Sequence, residues 1–161
     1  MRYAGIIYDD TAAAPGLSLS LYTQGCPFHC KGCHNPETWD FEGGYEYTQA
    51  VEDKIINSLN ANGILRKLCI LGGEPLAPRN VKELYQLLGR ARSIYPENKI
   101  YLWTGYTMEE LEKRLHAGEP LLEVILDEYV NVLITGRYEE DKRDITLPLR
   151  GSWNQKIYEL N

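Results

Sequence analysis

The chain has too few cysteines for a disulfide framework: four in 161 residues, three of them within eight positions at Cys26, Cys30 and Cys33. Thiols this close in sequence do not staple a secreted fold. The fourth, Cys69, stands alone in the apolar run Leu68-Cys69-Ile70-Leu71, where a free cysteine packs as a small hydrophobe. Positive charge is also short. Seventeen lysines and arginines face 23 acids, a net charge of −6. Phosphate backbones demand a basic footprint, so no nucleic-acid partner is expected. No apolar run approaches the ~20 residues of a membrane span, and the first residues do not read as a signal peptide, so no membrane is expected either. These absences lead to the expectation of a cytoplasmic protein whose thiols stay reduced and open to metal. No internal repeat, linker or low-complexity stretch divides the chain, so residues 1–161 are expected to form one domain.

What is present alternates strand and helix. Residues 17–22 (LSLSLY) alternate apolar and polar with period two. Residues 66–71, 99–103 and 130–134 are short apolar runs that read as buried strands, and 155–160 as a short final one. Between them, 48–59 places Val51, Ile55, Ile56 and Leu59 at helical spacing. Asn80 with Glu83 reads as a cap-and-return start for a helix whose inner face is Leu84, Leu87, Leu88 and Ala91. Thr107 with Glu110 forms a capping box ahead of Met108, Leu111 and Leu115, and that helix should stop near Gly118. Repeated strand–helix–strand units imply parallel strands with right-handed crossovers. Four such strands cannot close an eight-stranded barrel. The expected α/β fold is therefore a partial, open TIM-like barrel of mostly parallel strands with helices on its outer face.

In such folds chemistry gathers beyond the carboxyl ends of the strands. The cysteine loop follows the first predicted strand, Gly72-Gly73-Glu74-Pro75 the second, and Thr104-Gly105-Tyr106 the third. Three motifs thus meet on one rim. The spacing C-x3-C-x2-C aims three thiolates at one object and leaves a fourth position free, as on a four-iron cluster with an open iron. A closed zinc site is the other reading, with His29 or His34 completing a Cys3His set, as an interaction module without catalysis would use. Two glycines let a ligand come close to the backbone, and Glu74 adds a carboxylate to hold an ammonium group. As part of a rim turn, Glu74 is expected to serve ligand more than fold. Residues 136–155 mix basic, acidic and aromatic side chains; they read either as solvated surface or as the frame of a site or docking face.

With these residues in hand, the chain resembles the radical S-adenosylmethionine enzymes. Within them it resembles the glycyl-radical activating proteins of anaerobic ribonucleoside-triphosphate reductase. The resemblance rests on Pro15-Gly16, CPFHCKGCHNPETW (26–39), GGEP (72–75), WTGY (103–106) and RDITLPLRGSWNQKI (143–157). It implies a 4Fe-4S cluster on Cys26, Cys30 and Cys33, and S-adenosylmethionine with its amino group along Gly72, Gly73 and Glu74. It implies no catalytic residue beyond cluster and cofactor. One-electron cleavage would give a 5′-deoxyadenosyl radical that takes hydrogen from a glycine. The implied partners are the large subunit of the reductase and a small electron donor such as flavodoxin. A different glycyl-radical enzyme or a small molecule is the alternative target. Leu71 stands where the family carries serine, and Asn131 and Thr135 stand where it carries acids.

Overall fold

The computed structural model describes residues 1–160. Its strands are β1 (Arg2–Asp10), β2 (Ser18–Thr23), β3 (Tyr45–Glu46), β4 (Lys67–Gly72), β5 (Ile100–Thr104), β6 (Val132–Thr135) and β7 (Lys156–Glu159). Its helices are α1 (Gln49–Leu59), α2 (Val81–Ile94), α3 (Met108–His116) and α4 (Pro120–Val124), the last running on into a wide turn at Ile125–Tyr129. The strands form one sheet in the order β3-β1-β2-β4-β5-β6-β7. β2, β4, β5 and β6 are mutually parallel, whereas β1 and β7 run against their neighbours. Since β3 opposes β1, it shares the direction of the central four. The sheet is therefore open and mostly parallel, in an α/β fold, and it does not close into a barrel.

Side-chain alternation splits this sheet into two different faces. Leu19, Leu21, Leu68, Ile70, Ile100, Leu102 and Leu133 point to one side and pack on Ile55, Leu59, Leu84, Leu88, Leu111, Leu122 and Ile125. All four helices thus lie on a single face, each offering its apolar stripe to the strands. The opposite face carries Cys69, Tyr101, Val132 and Ile134, covered by Ala13, Ala14, Leu149 and Ile157 from loops and from β7. Cys69 is fully buried there, and burial pushes its thiol up to about 11. It is packing material, as its apolar run suggested.

Local rules account for most boundaries. The Thr48 hydroxyl caps α1 by accepting from Val51 N at 3.4 Å. The Thr107–Glu110 box forms in both directions, with bonds of 2.9 and 3.3 Å. Asn80 departs from the expected cap-and-return: it sits at the start of α2, but its amide turns away to donate to Gln24 O (3.1 Å) and Glu74 O (2.9 Å). Each central strand also ends one residue later than its apolar run, at Thr23, Gly72, Thr104 and Thr135. The register pairs Thr23 with Gly72 and Thr104 with Thr135. The rim is level, and the motif loops leave it side by side.

Candidate metal centre

Cys26, Cys30 and Cys33 all line one cavity of about 140 Å³ at this rim, together with Gly72, Gly73, Glu74, Thr104 and Gly105. The cysteine loop is shaped by its own backbone. Gly25 N and Cys26 N donate to Thr38 O and Trp39 O at 2.7 and 3.1 Å, while Gln24 Nε2 donates to Glu37 O and Asp40 O at 2.9 and 2.7 Å. Residues 36–40 therefore close the loop from behind. Inside it, Cys33 N donates to Cys30 O at 3.1 Å, and Asn35 N points at Cys33 Sγ at 3.4 Å. An N–H aimed at sulfur helps to fix where that sulfur points.

The turn after β4 is bolted to this loop. Gly73 N donates to Thr23 O at 2.9 Å and Glu74 N to Gly25 O at 2.8 Å. A Cβ on Gly73 would stand 2.6 Å from Gly25 O, closer than real Cβ atoms come to backbone oxygen. Glycine is needed here because two backbones touch, a reason additional to ligand approach. Glu74 is fully buried. Its Oε1 accepts from Leu76 N (2.9 Å) and the Thr104 hydroxyl (2.7 Å), and its Oε2 accepts from Gly105 N (2.7 Å). The carboxylate thus ties β4 to β5, a fold-bearing part that the sequence reading did not assign to it. Oε2 accepts one bond and has the capacity to accept another. Burial pushes the Glu74 carboxyl up to about 7 against those three donors.

Burial acts on the thiols in the same direction. Cys26 is pushed up to about 11, and Cys30 is raised, each chiefly by desolvation. The N–H groups of Phe28 and His29 pull the other way at Cys26, as do the N–H of Tyr138 and the Arg137 charge at Cys30. Without metal, Cys26 and Cys30 hold their protons at neutral pH, and loading must release them.

Several lining residues were not singled out from the sequence. Phe28 stands edge-on to Tyr106 with centroids 4.9 Å apart, and the Arg137 guanidinium covers its other side at 4.1 Å. Arg137 is held by Glu110 through bonds of 3.0 and 2.9 Å. The reading of 136–155 as a site frame is the one that fits: Gly136, Arg137, Tyr138 and Gln155 line the cavity. A second hollow of about 440 Å³ adjoins it, sharing Cys33, Gly72, Trp103, Tyr138 and Gln155. Nothing in the run of residues 136–138 marks them, because only the strand order brings the end of β6 beside the cysteine loop.

The donor set fits a cluster: three thiols line one cavity, as thiolates that bind separate irons would. Neither histidine lines that cavity. His29 stacks on Trp39 at 4.7 Å, and His34 leans on the Tyr138 ring at 5.5 Å.

Comparison with known proteins points the same way. A family model described as "4Fe-4S single cluster domain" matches residues 12–158. The anaerobic ribonucleoside-triphosphate reductase-activating protein of Vibrio cholerae is 39% identical over 159 residues, 98% of this chain and 97% of that protein. The protein of the same name from Escherichia coli K12 is 38% identical, covering 99% of each chain. Its counterpart in phage T4 is 33% identical over 98% of this chain and 94% of that one. Among the described residues no helix is long and apolar enough to cross a membrane. Matched over nearly its whole length, the chain belongs to the 4Fe-4S single-cluster family and, within it, to the anaerobic ribonucleoside-triphosphate reductase-activating proteins.

Proposed function

We propose that this chain is a radical S-adenosylmethionine enzyme that installs a glycyl radical on the large subunit of anaerobic ribonucleoside-triphosphate reductase. A single observation carries the reading. Among the described residues three thiols share a cavity with a carboxylate and a double-glycine turn, so a four-iron cluster held there would keep one iron for an outside ligand. Cys26, Cys30 and Cys33 would hold the cluster; Gly72, Gly73 and Glu74 would receive the amino group of S-adenosylmethionine. Held there, the cluster would supply the single electron for reductive cleavage of this sulfonium to methionine and a 5′-deoxyadenosyl radical, the species that would take a hydrogen atom from glycine.

The chain's own residues bind and orient the ligand. Glu74 offers the spare lone pair of Oε2, and an arriving ammonium favours its ionised form, which burial alone disfavours. Phe28, braced edge to face by Tyr106, lines one side of the cavity. The adjoining hollow is of the size that small-molecule ligands occupy, and it gives the rest of the cofactor room. The one-sided helix layer supports a partial-barrel use of the open sheet, with the whole chain acting as one domain. A small flavodoxin-like protein in the cytoplasm supplies the electron.

The test is electron paramagnetic resonance of the anaerobically reconstituted, reduced protein. Addition of S-adenosylmethionine should change the cluster signal, since the ligand binds iron directly. An unchanged signal at saturating cofactor would refute the assignment of an open iron.

A further inference from the structure

The hairpin 142–153 carries Lys142, Arg143 and Arg150 against one acid, Asp144, and it follows directly on Glu139, Glu140 and Asp141. Glu139 holds the Lys142 ammonium at 2.6 Å, which leaves Arg143 as the exposed cation on the outer side. The segment is no loose loop. Arg143 pairs with Ser152 as an antiparallel bridge, Asp144 N donates to Gly151 O at 3.1 Å, and Trp153 N donates to Lys142 O at 3.0 Å. It is fastened to the sheet by Trp103 Nε1, which donates to Leu149 O at 2.6 Å. The Gln155 amide adds a second anchor, accepting from Gly151 N and donating to Gly136 O, both at 2.9 Å. From this frame Ile145 and Trp153 project outward, 84% and 62% exposed. The same hairpin turns Leu147, Leu149 and Arg150 inward to line the hollow beside the cysteines.

Single exposed apolar residues are ordinary on protein surfaces. Here two of the largest stand together on a braced, basic hairpin whose inner side walls the candidate site. A small ligand makes no use of an indole that points away from the cavity. A polypeptide that must deliver one of its own residues into the hollow has to rest on that rim. A rigid frame loses little entropy on docking, and tryptophan is the commonest anchor of such contacts. We infer that the hairpin 142–153 is the docking face for the reductase segment that carries the target glycine, with Trp153 and Ile145 as anchors and Arg143 facing an acidic side chain. This inference rests on the proposed function, since it presumes a macromolecular substrate.

The experiment measures binding of the reconstituted chain to the purified large reductase subunit. It compares wild type with Trp153→Ser, Ile145→Ser, Arg143→Glu, and Ile64→Ser as an exposed control on another surface, 52% accessible. Trp153→Ser and Ile145→Ser should each weaken binding about tenfold or more. The charge reversal should weaken it as well and flatten its salt dependence. Ile64→Ser should bind as wild type does. Dithionite-driven cleavage of S-adenosylmethionine without the reductase should persist in all four, because none of these residues lines the cavity. Affinities within twofold of wild type for the hairpin variants, an equal loss in the Ile64 control, or a change in self-association in place of reductase binding would each overturn the docking face. Absence of cleavage in the wild type would instead strike the proposed function, and the binding series would still be read separately.

Discussion

Glu74→Gln tests whether the buried carboxylate is paired to the fold or merely tolerated by it. Its folded value of about 7 lies above the ordinary 4.5, so the native state keeps its proton to higher pH than the unfolded chain does. A group raised in this way contributes stability that is complete below about pH 4.5 and is lost as the pH climbs through about 7. The difference of roughly 2.5 units corresponds to about 3 kcal/mol of stability lost between pH 5 and 8. In the glutamine variant Oε1 still accepts from Leu76 N and the Thr104 hydroxyl, but an amide NH2 faces Gly105 N. A donor set against a donor costs about 1–3 kcal/mol, and this cost does not vary with pH. The protonated acid avoids it, because its oxygen still accepts from Gly105 while the proton turns to the cavity.

The two stability curves should therefore converge or cross. Near pH 5 the wild type should melt several degrees above the variant, at about 2–4 °C per kcal/mol for a chain of this size. Near pH 8 the variant should match or exceed it. Thermal unfolding of the metal-free protein by circular dichroism, in matched buffers from pH 5 to 8, gives both curves. Asp10, Glu110 and Glu119, whose carboxyls are lowered, contribute equally to both proteins and cancel in the difference. Parallel curves across the whole range would refute the claim that burial dominates at Glu74. Truncation to alanine removes the shape as well and strands Leu76 N and Thr104 in a dry interior, so its loss of stability should be severe at every pH. That outcome runs against the sequence-based expectation that a rim turn serves ligand more than fold.

Cys30→Ala should abolish both the brown chromophore after anaerobic reconstitution and S-adenosylmethionine cleavage, since three ligands leave none to spare; retained cleavage in a gel-filtered sample would remove Cys30 from the ligand set. Gly73→Ala places a methyl 2.6 Å from Gly25 O and should loosen the turn from the cysteine loop, seen as faster cluster loss in a chelator challenge; wild-type retention would show that the contact relaxes at no cost. Cluster assembly should speed up as pH rises from 7 towards 9, because burial keeps Cys26 and Cys30 protonated at neutral pH; a flat rate of chromophore growth over that range would contradict the raised thiols.

The contrast between legible and hidden parts follows from the range over which each signal acts. The central strands declared themselves because each packs one face on helices and the other on covering loops, so their residues are apolar or small for most of their length. The Thr107–Glu110 box was equally readable, since its two hydrogen bonds span three residues. β1 escaped notice because it borders the sheet beside only the short β3, and partial exposure along Arg2–Tyr8 removes the pressure for a clean apolar run. α4 escaped because five residues and a wide turn are too short for helical periodicity to accumulate. Asn80 misled for a different reason. Its side chain is of the capping type, yet Gln24 O and Glu74 O offer it acceptors from the two loops that build the site. Two buried bonds between distant segments outweigh one local cap, and the same competition sets the site as a whole. Cysteine spacing marks the ligands, whereas Arg137 and Tyr138 join them only because the ends of β2 and β6 share one rim. A signal of that kind resides in the strand order, and it becomes visible once the sheet is assembled.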